Sequence, residues 1–545
     1  MPFEPFEPPE SLNLADWLLD ARVREGKGER TAVRCGDRRL TYREVQALAD
    51  RFGNVLRALG VEPEQRAIVA LPDGPEFVGA LFGALKIGAV AVMVNPQLPA
   101  EEIAYFYAYT RARVAVVGAE AAETFRAAAE RGGAGRHLER LLVVGTGEGE
   151  GAGAGAGAGK GGGGVPLASF EEEAGRVSET CVAEETHRDD PAIWLFSGGT
   201  TGRPKAVVQT HASFAYTTEC YAKGTIGYRE TDVTLSVPKL YFGYATGSNL
   251  FFPFSVGATT ALFPEKATAD ELFAQVRRHR PTILINVPTM INHMVSHPEA
   301  RSQDLSCLRL ATSAGEALPP ALHGRWMDAF GVELLDGLGT AEQWHIFLTN
   351  RPGDVRPGTI GKVVRGFEVK LCDADGAEVA RGEPGALWVR GGARAIQYWQ
   401  QMRRTQEAFR GEWYVSGDLL RQDEDGYYVY CGRADDMLKV GGKWLSPQEL
   451  EDCLLRHAAV KEVAVVGVPD RAGLTKPHAF VVARDDTSAA DLEGLDAALK
   501  QLVKERLEPW KYPREVVILA VLPRTHLGKV DRGKLRAQAQ ARAQT

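Results

Sequence analysis

Seven cysteines stand singly in this chain, at positions 35, 181, 220, 307, 372, 431 and 453, with no Cys-x-x-Cys pair and an odd total. That spacing indicates neither a disulfide framework nor a zinc site, and it suits a reducing cytoplasm. Positive charge is not in excess: 64 Lys and Arg against 71 Asp and Glu leave a net charge of −7. A general nucleic-acid surface is thereby excluded, and only a local cationic pocket remains open. A long apolar run is missing too. The most apolar stretch, 79–94, is interrupted by Lys86, and the N-terminus MPFEPFEPPE is acidic and proline-rich; neither a membrane span nor a signal peptide is expected. The run ending in Gly159-Lys160 is no Walker site, because Ala154 stands where its first glycine belongs and Gly161 where Ser or Thr would hold magnesium.

What is present is the balance of a soluble globular protein, 44% hydrophobic and 25% charged. At 545 residues the chain is too long for one core, so two or more lobes are expected. From about residue 29, strand-like runs (31–33, 66–71, 90–94, 114–117) alternate with helical stretches (42–59, 75–85), which predicts α/β layering with largely parallel sheets. Residues 145–164, nearly all Gly and Ala, cannot bury enough apolar surface to offset their ordering entropy. They are expected to form a mobile surface loop inserted after a strand at 141–144. Near Gly432 a turn-rich segment leads into a strand (463–468), an amphipathic helix and a strand (516–522). Leu492, Leu495, Leu499, Leu502 and Leu507 mark the helix face packed on that sheet. The expected division is a large N-terminal lobe, 1–434, and a small α/β lobe, 435–545.

The stretch Phe196-Ser-Gly-Gly-Thr-Thr-Gly-Arg-Pro-Lys205 carries the chemistry. Apolar strands flank it at 193–196 and 206–208. Between them Gly198, Gly199 and Gly202 let backbone N–H groups turn toward an anion, while Ser197, Thr200, Thr201 and Lys205 add hydroxyls and a charge. Such a loop is a phosphate cradle or an ordinary Gly/Thr hairpin, and other motifs must decide.

Six further segments follow in fixed order: Asn286-Val-Pro-Thr289, Ser313-Ala-Gly-Glu-Ala317, Gly337-Leu-Gly-Thr-Ala-Glu342, Tyr414-Val-Ser-Gly-Asp418, Gly432-Arg-Ala-Asp-Asp436 and Thr525-His-Leu-Gly-Lys529. Together with the loop they resemble the acyl-adenylate-forming (AMP-dependent synthetase/ligase) superfamily, over nearly the whole chain. The resemblance implies ATP, Mg²⁺ and coenzyme A as reactants and cofactors, and a C-terminal lobe that moves between two half-reactions. Lys529 would bring a cation to the carboxylate and α-phosphate, and Glu342 would ligate Mg²⁺. Gly315, Glu316 and Ala317 would lie against adenine, together with the nucleotide-binding run Asp336, Gly337, Leu338, Gly339 and Thr340. Asp418 would accept the ribose hydroxyls and Arg433 would touch the ribose. Asp435 would be the hinge, with Lys439, Gly441 and Gly442 on the face that admits pantetheine, where a simple Gly-Gly hairpin is the competing explanation.

Elementary chemistry explains these residue types. A carboxylic acid with pKa near ~4 is ionised at pH 7 and can attack phosphorus without a general base, so the protein must supply cations and N–H donors to two anions. Departures from the family pattern are Gly198 for a serine, Ala206 for the terminal glycine of the cradle, and Ala341 for the threonine beside Glu342. If the neighbouring Thr340 does not replace that hydroxyl, one hydrogen bond to a charged group is lost, roughly 1.5 to 3 kcal/mol.

Within the superfamily, Lys239-Leu-Tyr-Phe-Gly-Tyr244, Phe252-Pro-Phe-Ser-Val-Gly-Ala258 and Glu342-Gln-Trp-His-Ile-Phe347 are most similar to bacterial benzoate-, aminobenzoate- and hydroxybenzoate-CoA ligases. The implied acyl pocket comprises Gly243, Tyr244, Ala314, Gly339, His345 and Ile346. His345 would touch a ring substituent or serve as a structural histidine. Gly243 leaves space for a substituted ring. The expected partners are a small aromatic carboxylic acid, ATP and CoA, with no nucleic acid and no membrane, in a monomer or homodimer. Two other readings stay open, a stand-alone aryl-adenylating enzyme that loads a carrier protein and a non-catalytic nucleotide-binding relative.

Overall fold

The computed structural model describes residues 6–145, 165–198, 203–440, 443–470, 474–484, 487–524 and 530–543. Within them the expected alternation becomes two large, mostly parallel sheets. In the first, Pro191–Ser197, Val90–Met93, Arg66–Ala70, Val114–Gly118, Arg140–Val144 and Leu167–Ser169 lie side by side and parallel. Lys205–Thr210 and Gln397–Tyr398 extend its edge antiparallel. The Gly/Ala-rich segment falls outside the described residues from 146 to 164, but the strands flanking it are neighbours in this sheet. It therefore connects two strands within one layer.

In the second sheet the order is Ile346–Thr349, Leu334–Gly339, Leu310–Ser313, Ile283–Asn286, Val233–Ser236, Thr259–Leu262 and Thr31–Cys35, parallel from Leu334–Gly339 onward. The β-branched and leucine-rich strands of both sheets are buried on both faces, as parallel strands covered by helices must be. An antiparallel sheet built on Glu368–Cys372, Gly385–Arg390 and Trp413–Gln422 follows.

Helix Tyr42–Ala58 starts at a capping box, in which Thr41 Oγ1 accepts the Glu44 N–H at 3.2 Å and the Glu44 carboxylate accepts the Thr41 N–H at 2.7 Å. Its apolar stripe packs on helix Pro75–Lys86 so closely that a Cβ at Gly83 would sit 2.8 Å from the Ala49 carbonyl oxygen. At the end of that second helix lies Lys86, which sequence marks only as an interruption of apolar residues. It is 1% exposed, and its ammonium is bound by Asp20 at 2.9 Å and by Asp50. Burial pushes this lysine down, and the two carboxylates outweigh burial and hold it above its usual value. Lys86→Ala leaves two carboxylates facing each other in the interior; the expected loss is about 3–5 kcal/mol of stability, read as a lower urea midpoint. Asp20→Asn in the same chain should recover part of it.

The small C-terminal unit has a three-stranded sheet of Val460–Pro469, Thr475–Ala483 and Glu515–Ile518, flanked by helices Pro447–Leu454, Ala489–Arg506 and Arg532–Ala543. Two readings of its sequence differ in extent. The last strand stops at Ile518, opposite Val481, short of the expected 522. Leu507 lies just beyond its helix as the C-cap residue. The buried clusters of the large part reach Tyr430, and those of the small part begin at Leu438. Between them, Ala434–Asp436 form a single helical turn. None of the described helices is long and apolar enough to cross a membrane.

Candidate active site

The ends of three sheet strands build the site. The hairpin Pro191–Ser197/Lys205–Thr210 pairs Ser197 with Lys205, and Gly198 follows at its tip. Gly199, Thr200, Thr201 and Gly202 lie outside the described residues. Its stem is pinned from helix Ala100–Thr110 by two tyrosines one turn apart. Tyr105 Oη donates to the Pro204 carbonyl at 2.6 Å, and Arg203 lies over the Tyr105 ring. Tyr109 Oη donates to the Trp399 carbonyl at 2.7 Å and accepts the Ala206 N–H at 3.4 Å. Ser197 Oγ is buried without a hydrogen-bond partner among the described residues.

Lys205 crosses from this stem to Glu342. Its Nζ is 3.3 Å from Glu342 Oε1 and 3.7 Å above the ring of Tyr398. Tyr398 Oη donates to the same Glu342 oxygen at 2.8 Å. Burial, then the Glu342 charge, push the Tyr398 hydroxyl far above its usual range, so it stays a proton donor. Glu342 itself is 4% exposed. Thr340 Oγ1 caps the turn Ala341–Gln343 by accepting the Gln343 N–H at 3.3 Å, and Thr340 also lines the adjoining cavity. Its Oγ1 is thus engaged as an acceptor within its own turn.

The nucleotide candidates sit at the carboxyl ends of parallel strands Leu310–Ser313 and Leu334–Gly339, the end at which open α/β sheets bind ligands. Gly315 has φ +91°, a left-handed turn with open space where a side chain would be. Glu316 accepts the Thr289 hydroxyl at 2.8 Å, and Ala317 follows it in the same turn. Asp336 is buried beside Ser313 in register. Burial pushes the Asp336 carboxyl well above the usual carboxylate range, against the lowering pull of the Ser313 hydroxyl and the Gly337 N–H. Gly337 and Leu338 are held within the sheet against Thr349 and Leu348.

A cavity of about 190 Å³ opens beside Thr340 and Ala341, the residues just before Glu342. All of the predicted acyl residues Gly243, Tyr244, Ala314, Gly339, His345 and Ile346 line it. Gly339 is required there, since a Cβ would lie 2.5 Å from the His345 carbonyl oxygen. The wall segment 239–244 is anchored at its start: the Leu240 N–H donates to the buried Asp73 at 2.8 Å, and burial pushes that carboxyl up to about 6. Tyr244 Oη shares a 2.7 Å hydrogen bond with Thr312 Oγ1.

His345 is 3% exposed, and burial holds its pKa down to about 3, so the ring is neutral. Its Nε2 lies 3.1 Å from the Tyr244 carbonyl oxygen and 3.1 Å from Ser248 Oγ. A carbonyl only accepts, which assigns the proton to Nε2 and leaves Nδ1 an acceptor, buried and without a partner among the described residues. Phe106, Trp194, Leu195 and Trp344 complete the apolar wall and escape the sequence reading. Trp344 has φ +56°, with the Gln343 carbonyl accepting the His345 N–H at 2.7 Å, a strained tight turn that aims His345 inward.

The remaining candidates lie toward the small unit. Asp418 is 6% exposed and collects Ser416 Oγ, Tyr430 Oη at 3.2 Å and Arg433 Nη1 at 3.4 Å, so Asp418 and Arg433 come together. Arg433 is 3.8 Å from Asp435. Lys439 is exposed on the short strand Leu438–Val440, while Gly441, Gly442 and Lys529 lie outside the described residues.

Two family profiles match the chain: AMP-binding enzyme over residues 19–399, and AMP-binding enzyme C-terminal domain over residues 449–529. The sequence is 41% identical over 531 residues to a benzoate–CoA ligase of Thauera aromatica, covering 97% of this chain and 96% of that protein. The fold is similar to the crystal structure of the anthranilate CoA ligase AuaEII in complex with anthranoyl-AMP, with TM-score 0.91 and 36% identity over 100% of both chains. It is also similar to a benzoate CoA ligase from Burkholderia xenovorans LB400, with TM-score 0.85 and 39% identity over 96% of this chain and 100% of that one.

Proposed function

Since the chain belongs to the AMP-binding enzyme family, we propose that it activates benzoate or a ring-substituted benzoate with ATP, forming an aryl-AMP and pyrophosphate, and then transfers the aryl group to coenzyme A as a thioester. One observation carries the reading: an aromatic-walled cavity of about 190 Å³ reaches Thr340 and Ala341, the residues just before Glu342, whose carboxylate is paired with Lys205. A cavity of about 150 Å³ holds a benzene ring, so the space is of the size a single ring needs.

In this proposal the ring lies between Gly243, Tyr244 and Ala314, and its carboxylate points toward the cradle. Ser197 Oγ, without a protein partner among the described residues, and Lys205 meet the phosphate oxygens, with Thr200 and Thr201 beside them. The buried Asp336 and the turn at Gly315 receive adenine, and Asp418 with Arg433 receives the ribose. Lys529 supplies the cation that draws carboxylate and α-phosphate together. Glu342 is a single carboxylate, and the described residues hold no cluster of three or more His, Cys, Asp or Glu suited to a metal. That suits Mg²⁺, which binds through one or two carboxylates plus substrate phosphates and waters, and when bound would neutralise phosphate charge. Residues 1–434 would form the acyl- and ATP-binding domain and 435–545 a mobile domain hinged at Asp435, with Lys439, Gly441 and Gly442 facing the pantetheine arm.

Pyrophosphate release driven by benzoate, its 2-, 3- and 4-amino and hydroxy analogues and a set of aliphatic acids tests the reading. Aromatic acids should exceed aliphatic ones by about 10²-fold in kcat/KM, and a preference for an aliphatic acid would end it. The unpartnered Nδ1 of His345 favours rings that carry a hydrogen-bond donor. CoA and a phosphopantetheinylated carrier, offered separately, decide the acceptor. A Cβ at Gly243 would already stand 3.2 Å from a Leu195 methyl. Gly243→Val should therefore lower kcat/KM for benzoate about 10–100-fold without changing ATP binding.

A further inference from the structure

One of the ordered segments, Asn286-Val-Pro-Thr289, and Arg524, just before the last of them, have no role in the account so far. The fold brings them together. Arg524 Nη2 donates to Glu462 Oε2 at 2.8 Å inside the small unit, and Arg524 Nη1 reaches across to Thr289 Oγ1 at 3.5 Å. The Thr289 hydroxyl in turn donates to Glu316 Oε2 at 2.8 Å. The order of donors is forced, because guanidinium only donates, a hydroxyl accepts and donates, and a carboxylate only accepts. Three residues along the same face of helix Pro288–Val295, Asn292 Nδ2 donates to the Lys461 carbonyl at 3.3 Å while its Oδ1 accepts from Arg325 at 3.0 Å. That helix thus meets the small unit at two points, next to the turn that carries Glu316.

We propose that Arg524 is a positioning residue: through Thr289 it seats the small unit against the 313–317 turn for adenylation and releases it for thioester formation. This rests on the two half-reactions proposed above. The unequal lengths in the relay say where it parts. The short, charge-assisted Arg524–Glu462 bond stays within one unit, and the long Arg524–Thr289 bond is the link that yields when the unit turns. A weak link is what a reversible seat requires, since a strong one would slow the second step as much as it helps the first.

Full-length Thr289→Val, Thr289→Ser, Arg524→Ala and Arg524→Lys separate positioning from general damage. Thr289→Val keeps the shape but neither accepts nor donates. It should lower acid-dependent pyrophosphate–ATP exchange about 5–20-fold in kcat with KM for benzoate unchanged, while thioester formation from supplied benzoyl-AMP and CoA stays within about twofold. Thr289→Ser should restore exchange. Arg524→Ala should match Thr289→Val, Arg524→Lys should lie between, and the double variant should be no worse than either single one. Equal losses in both half-reactions, failure of serine to rescue, or unchanged exchange would overturn the proposal. Absence of exchange in the unaltered chain would remove the catalytic reading itself and this proposal with it.

Discussion

Lys529→Ala is expected to lower acid-dependent pyrophosphate–ATP exchange about 10²–10³-fold while thioester formation from supplied benzoyl-AMP and CoA is nearly unchanged. The size follows from charge. A benzoate and a triphosphate repel, the carboxylate needs no base, and the barrier is lowered chiefly by cations at fixed positions. Lys205 is already tied to Glu342 and stacked on Tyr398, so it cannot also lean on the attacking carboxylate without leaving that pair. The described residues on either side of Lys529 are held by contacts of their own. Downstream, Arg532 grips the buried Glu451 through two hydrogen bonds of 2.6 and 3.0 Å, and Arg524 and Val530 bridge the two sides. An equal fall in both half-reactions would mean that the lysine supports the fold or acts in both steps, and no fall would remove it from the chemistry.

How much of this was legible in the sequence depends on range. The two strands on either side of 198–204 could be read because both are apolar and a run of glycines separates them. That Gly243, Tyr244, Ala314, Gly339, His345 and Ile346 line one cavity could be anticipated because each sits within a few residues of a recognisable segment. Tyr398 could not: it reaches Glu342 from 56 positions away, on a two-residue edge strand with no pattern of its own. The same holds for Tyr105 and Tyr109, which look like an ordinary aromatic helix face until the fold sets them under the hairpin stem. Trp344 escaped for another reason. A tryptophan with positive φ runs against local preference, and only the surrounding packing imposes it. Lys86 shows the limit from the other side, since the partners that make a buried lysine tolerable, Asp20 and Asp50, lie on separate helical segments. The last strand of the small unit stops at Ile518, short of the expected 522, and no local signal announces its end.

Glu342→Gln is expected to reduce adenylation by about 10²-fold or more and to raise the Mg²⁺ concentration needed for half-maximal rate, with little change in the unfolding midpoint. Glutamine keeps a carbonyl oxygen for the Tyr398 hydroxyl, so the local shape survives, but it removes the negative charge that faces Lys205 at 3.3 Å. Lys205 then has a phosphate as its only strong counter-charge in the site, which should tighten nucleotide binding in the absence of metal even as turnover falls. Glu342→Ala makes the complementary case. It strips both Lys205 and the Tyr398 hydroxyl of their shared acceptor in a place only 4% exposed, and should lower the urea midpoint as well as the rate. Comparison of the two substitutions therefore separates the charge of this residue from its place in the packing. If Glu342→Gln left the Mg²⁺ dependence where it was, the carboxylate would be a structural partner of Lys205 and Tyr398 and no metal ligand.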